Sequence, residues 1–184
     1  MKPLELYLHI PFCISKCKYC DFLSAPSEFQ ERQDYVESLC RDIRSYRNLA
    51  EAYVVVSIFL GGGTPSVLTP AQIKDIFKSI KETFQLSGEA EITIEMNPGT
   101  VDKEKLRTYR EVGINRLSIG LQSALDEELK KLGRIHTFEE FLDTYKLARE
   151  AGFHNINIDL MSAIPGQTVE SYEHTLRTVA EIKP

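Results

Sequence analysis

The sequence predicts an α/β protein, an open partial (β/α) barrel of parallel strands with about five βα units. Strand-like stretches alternate with amphipathic, helix-length ones, a pattern that gives a parallel sheet with right-handed crossovers. A segment also recurs. Arg110-Glu111-Val112-Gly113-Ile114-Asn115-Arg116-Leu117-Ser118-Ile119 is echoed by Arg149-Glu150-Ala151-Gly152-Phe153-His154-Asn155-Ile156-Asn157-Ile158, with the same helix end, glycine and strand entry. Finally, several strands are two-faced. Ile92, Ile94, Met96, Leu117, Ile119, Leu121, Ile156, Ile158 and Leu160 alternate with Glu91, Thr93, Glu95, Arg116, Ser118, Gln122, Asn155, Asn157 and Asp159. A closed eight-stranded barrel fills its interior with branched apolar side chains. A polar inner face instead implies an open lumen that holds a polar ligand. Solvent-facing alternation is the alternative, and it is the weaker one because parallel sheets are usually covered on both faces.

Each element has its own signal. Leu4, Leu6, Leu8 and Ile10 alternate with Glu5, Tyr7 and His9, which predicts a strand over 4–10. A helix is expected over about 27–50, with Tyr35, Val36, Leu39, Cys40 and Ile43 as its apolar stripe. The run 54–60 reads as a buried strand, followed by Gly61-Gly62-Gly63-Thr64-Pro65-Ser66. Thr69 caps a helix to about Phe84, with Pro70 in its first turn. A strand over 91–96 leads to Asn97-Pro98-Gly99, and a helix over 102–112 ends at Gly113. A strand over 116–121 and a short helix over 125–132 follow. Thr137 caps a helix over 138–151, 155–160 is the fifth strand, and a helix begins near Val169.

Composition narrows the function classes. The chain has 184 residues, enough for one domain with a real core. Its net charge of −5 argues against a general nucleic-acid surface. The longest apolar run, Tyr53 to Leu60, is too short to span a bilayer. Lys2-Pro3 leads directly into a strand pattern without a targeting signal, so the expected location is the cytoplasm, where thiols stay reduced.

The chemistry is concentrated after the first strand. Cys13, Cys17 and Cys20 have the spacing C-x3-C-x2-C in a chain with 4 cysteines. Three clustered thiolates read as metal ligands. A [4Fe–4S] cluster normally takes four cysteines, so three leave one iron open to a small molecule. A zinc site from the same cysteines with His9 or Asp21 is the alternative. Cys40 lies in a helical apolar stripe and reads as a small buried hydrophobe. The cysteines follow strand one and the glycine run follows strand two. Glu95 ends strand three, Gln122 follows strand four and Asp159 is near the end of strand five. All fall at the C-terminal rim, where parallel α/β barrels build their sites.

The cysteine motif, with an aromatic before its third cysteine, resembles that of the radical S-adenosylmethionine (SAM) superfamily. In that superfamily the open iron is chelated by the amino and carboxylate groups of SAM. Electron transfer from the cluster then breaks the SAM C–S bond and yields a 5′-deoxyadenosyl radical. Tyr7-Leu8-His9-Ile10-Pro11-Phe12-Cys13, Gly61-Gly62-Gly63-Thr64-Pro65, Gly133-Arg134-Ile135-His136-Thr137 and Ile158-Asp159-Leu160-Met161 through Pro165-Gly166-Gln167-Thr168 narrow the resemblance. Together they resemble the oxygen-independent coproporphyrinogen III oxidase family, and most of all its haem chaperone branch.

The resemblance implies a radical SAM core domain over 1–184, with a sixth βα unit and a C-terminal domain lying beyond this stretch. It implies Cys13, Cys17 and Cys20 as cluster ligands, Tyr19 near the SAM adenine and Tyr7 against SAM near the cluster. Gly62, Gly63 and Thr64 would meet the SAM amino group. For the glycines alone, a plain tight turn is an equal reading. Glu95, Gln122, Arg134 and Asp159 would make polar contacts to SAM, Arg134 to its carboxylate. His136, ahead of a helix cap, reads as a structural hydrogen-bonder, with contact to a tetrapyrrole as the alternative. The oxidases carry a further cysteine two residues after the third, where this chain has Phe22. The implied partners are SAM and, in the full-length protein, haem with a haem-protein client. The competing implication is a porphyrinogen substrate for oxidative decarboxylation.

Overall fold

The computed structural model describes residues 1–184. Its elements are β1 (Lys2–Ile10), β2 (Phe12–Cys13), β3 (Ala25–Pro26), α1 (Phe29–Ser45), α2 (Arg47–Ala50), β4 (Tyr53–Gly62), α3 (Pro70–Thr83) and β5 (Gln85–Met96). They continue with α4 (Lys103–Val112), β6 (Arg116–Gln122), α5 (Asp126–Leu132), α6 (Phe138–Glu150), β7 (Asn155–Leu160) and α7 (Val169–Ile182). Five strands form one all-parallel sheet in the order β1-β4-β5-β6-β7. This is the expected open partial barrel.

The apolar strand face is the buried one. Ile58, Leu60, Ile94, Leu117 and Ile119 pack with Ile73, Ile76, Phe77, Leu106, Tyr109 and Phe141 from α3, α4 and α6, all at most 1% exposed. Each such side chain contributes about 1.5–3 kcal/mol by leaving water. Because α1, α3, α4 and α6 pack side by side, the opposite sheet face becomes the inner wall. The sequence echo is a real structural repeat. Gly113 and Gly152 are both left-handed (φ 107° and 83°), and the next N–H returns to the helix in each case, Ile114 to Tyr109 and Phe153 to Ala148. Ile114 and Phe153 are then driven fully into the core.

Several details differ from expectation. The 27–50 helix is broken at Tyr46 into α1 and α2. The strand expected over 91–96 begins at Gln85, because Gln85 and Leu86 pair with Val54 and Val55 before a register shift. The cysteine loop is closed by the two-residue β2–β3 pair, which sequence periodicity cannot reveal. The helix caps at Thr69, Thr137 and Thr168 each carry a reciprocal capping box.

Candidate functional site

The sheet, the cysteine loop and the loop after β4 enclose a cavity of about 260 Å³ at the C-terminal ends of the strands. Cys13, Cys17 and Cys20 line it as free, half-buried thiols. The loop that carries them is pinned at both sides. Ala25 N–H donates to the Pro11 carbonyl at 3.1 Å, and Lys18 N–H to the Leu132 carbonyl at the end of α5 at 2.9 Å. Phe12 anchors it from beneath, with its ring edge-on to Tyr35 at 5.2 Å.

Gly62, Gly63 and Thr64 meet this loop directly. Gly63 N–H donates to the Ile10 carbonyl at 2.8 Å and Thr64 N–H to the Phe12 carbonyl at 2.7 Å. Gly62 has φ +117°, and a Cβ on Gly63 would lie 2.6 Å from the Phe12 carbonyl oxygen and 3.0 Å from Cys13 Sγ. The glycines are thus needed for backbone approach to the cysteine loop. The Thr64 hydroxyl donates to Cys13 Sγ at 3.5 Å.

The inner wall supplies the polar groups. Glu95 accepts from Gly62 N–H at 3.1 Å. Burial pushes its carboxyl above the usual range, the Asp159 carboxylate pushes it further, and the Gly62 bond opposes them. Asp159 is fixed through both oxygens: Ser118 Oγ donates to Oδ2 at 3.1 Å and Asn157 Nδ2 to Oδ1 at 2.6 Å. Ser118 and Asn157 pair across β6 and β7. A bulge between Gly120 and Gln122, with Gln122 at φ 76°, turns the Gln122 side chain into the cavity. Tyr19 lines the wall as well, its hydroxyl pushed upward by burial.

Arg134 enters from the turn after α5. Its Nη1 donates to Cys17 Sγ at 3.5 Å, and its Nη2 to the Gly120 carbonyl at 2.6 Å and to Asn97 Oδ1 at 2.7 Å. Its Nε is buried without a partner. Tyr7 stands apart. It is not among the residues lining the cavity. It is 61% exposed, with its hydroxyl 3.2 Å from His9 Nδ1 and its ring near Phe59. Sequence reasoning missed Asn97, Ser118 and Ser15 as lining residues. Ser118 sat on the recognised polar face, and Asn97 looked like part of a Pro-Gly turn. Pro98-Gly99 do form that turn, but Asn97 points its amide into the site.

The donor set fits an iron–sulfur cluster. The three thiolates open onto one cavity, and two of them accept hydrogen bonds that suit sulfur carrying negative charge. It fits a single zinc ion less well. No three Cys, His, Asp or Glu side chains converge on one point, and both His9 nitrogens are engaged, Nε2 with the Leu23 carbonyl at 3.1 Å.

A parallel sheet, cysteine loop and glycine loop arranged in this way define a radical SAM fold. The family model for the radical SAM superfamily matches residues 7–179, and the chain belongs to that superfamily. A heme chaperone, HemW, from Escherichia coli K12 is 40% identical over 185 residues, covering 100% of this chain and 49% of the relative. The oxygen-independent coproporphyrinogen III oxidase of the same organism is 38% identical over 185 residues, covering 100% and 40%. The solved structure of coproporphyrinogen III oxidase (HemN) from Escherichia coli, described as a radical SAM enzyme, superposes with a TM-score of 0.92 at 37% identity, covering 100% of this chain and 42% of that one. Within the superfamily the whole chain is similar to HemW and coproporphyrinogen III oxidase proteins. It spans about half the length of the curated relatives it matches. No helix is long and apolar enough to cross a membrane.

Proposed function

We propose that residues 1–184 are the SAM- and cluster-binding core of a haem chaperone. The convergence of eleven of the twelve expected site residues on one cavity wall carries this reading. Cys13, Cys17 and Cys20 would hold a [4Fe–4S] cluster, which would supply a single electron to bound SAM. Gly62, Gly63 and Thr64 would receive the SAM amino group. Glu95 and Asp159 would accept from its hydroxyls or its amino group, with Gln122 beside them, and Tyr19 would pack against the adenine. Arg134, which lines the cavity, would pair with the carboxylate. Tyr7 would reach SAM only by turning from His9.

Phe22 favours a chaperone over an oxidase. It occupies the position where the oxidases carry a further cysteine, and it lies 68% exposed at the cavity wall beside Leu23. That apolar rim supports a flat hydrophobic ligand such as haem, passed on to a haem-protein client in the cytoplasm. Anaerobic reconstitution with iron and sulfide, followed by electron paramagnetic resonance with and without SAM, tests the core. A [4Fe–4S]⁺ signal that shifts on adding SAM is expected, and zinc without iron or sulfide would overturn it. Haem titration then tests the chaperone. Turnover of coproporphyrinogen III would instead favour the oxidase.

A further inference from the structure

Asn97 follows the last residue of β5 and joins two of the three cysteines through its amide. Arg134 can only donate, so the Asn97 atom it meets at 2.7 Å is Oδ1. The other end of the amide, Nδ2, therefore faces Thr64 and donates to its hydroxyl oxygen at 2.9 Å. A threonine hydroxyl has one proton. With its oxygen occupied as an acceptor for Asn97, that proton is directed to Cys13 Sγ at 3.5 Å. At the far end, Arg134 Nη1 is directed to Cys17 Sγ, also at 3.5 Å. The order Cys13–Thr64–Asn97–Arg134–Cys17 is a continuous relay whose two ends both donate to sulfur. Asn97 itself is fixed from behind, since its N–H donates to Ser66 Oγ at 3.4 Å and its carbonyl accepts from the Thr100 hydroxyl at 2.6 Å.

We infer that Asn97 is a positioning residue that orients hydrogen bonds onto two cluster thiolates and so holds the cluster at a higher reduction potential than the cysteines alone would give. Hydrogen bonds to sulfur favour the reduced, more negative state of an iron–sulfur centre. One asparagine sets both bonds because its amide offers an acceptor to Arg134 and a donor to Thr64. Neither a serine nor an aspartate at this position can offer both in that geometry. The inference rests on the cluster reading above.

The test is a redox titration of the reconstituted protein, followed by electron paramagnetic resonance, with iron and sulfide assayed on every sample. Asn97→Ala is expected to keep its iron and to move the midpoint potential downward by about a tenfold change in the reduction equilibrium, about 59 mV for one electron. Thr64→Val should give a smaller shift. The double variant should move less than the sum of the singles, as coupled residues do. If Asn97→Ala fails to load, the isosteric Asn97→Asp replaces it. The new charge acts with or without the Thr64 hydroxyl, so the part of its shift that Thr64→Val abolishes belongs to the relay. An unchanged potential in fully loaded Asn97→Ala, or fully additive shifts in the double variant, overturns the inference. Failure of the unsubstituted chain to take up iron and sulfide overturns the cluster reading instead.

Discussion

Arg134 Nη1 donates to Cys17 Sγ across 117 residues of sequence, while the Nη2 of the same guanidinium bonds the Gly120 carbonyl and Asn97. The planar guanidinium reaches these three partners from two separate nitrogens held in one rigid fork, a spread that a compact ammonium lacks. Arg134→Lys keeps the charge and loses the fork. SAM binding to the reconstituted protein is expected to weaken about tenfold, roughly 1.4 kcal/mol, measured by calorimetry. An unchanged affinity would make Arg134 a clasp for the cysteine loop and nothing more.

The fourth cysteine gives an internal control. Cys40 is 4% exposed and packed in the core with Val36 and Ile43, whereas the other three face the cavity. Cys17→Ala is expected to abolish cluster assembly. Cys40→Ala should leave the iron-to-protein ratio unchanged, with a modest loss of stability from the small cavity it leaves. Iron loss in Cys40→Ala would show that the ligand set is drawn wrongly.

Gly63 is where the two site loops touch most closely. A methyl group there would lie 2.9 Å from Ser24 Cβ as well as against Phe12 and Cys13. Gly63→Ala should destabilise the chain by about 1–3 kcal/mol and displace the cysteine loop, so iron uptake should fall with it. Gly88→Ala is the contrast, because nothing lies within 4 Å of its new methyl group. Denaturant midpoints should leave that variant within about 0.5 kcal/mol of the parent.

These residues also show where the sequence was readable. Glu95, Gln122 and Asp159 were found because each lies at or next to the end of a strand, and the ends of parallel strands share one rim. The first half of β5 was not found. Gln85-Leu86-Ser87-Gly88-Glu89-Ala90 has no clean alternation, and its place in the sheet comes from pairing with Val54 and Val55, a long-range contact. Asn97 was missed for a similar reason. Its local context, Asn-Pro-Gly, is a turn by any local rule, and its role depends on Thr64 and Arg134, which are distant in sequence. Tyr7 was assigned by resemblance, and local packing against His9 and Phe59 holds it away from the cavity wall.

His136 gives a prediction in pH. It is 5% exposed behind the cysteine loop, near the Leu121 backbone, with its Nε2 unpartnered. Burial, helped by the neighbouring Arg134 charge and opposed by the Leu121 backbone, lowers its pKa to about 4. The folded chain therefore keeps the ring neutral where the unfolded chain, near 6.5, already binds a proton. Stability is fully present above about pH 6.5 and declines as pH falls toward 4, by up to about 1.4 kcal/mol per unit. Below the folded value this contribution stops changing. His136→Gln has no proton to take up and should flatten the stability curve between pH 6.5 and 4, measured by urea unfolding across that range. If the parent chain is equally stable at both ends while His136→Gln behaves identically, the ring is solvated in solution and takes its proton freely.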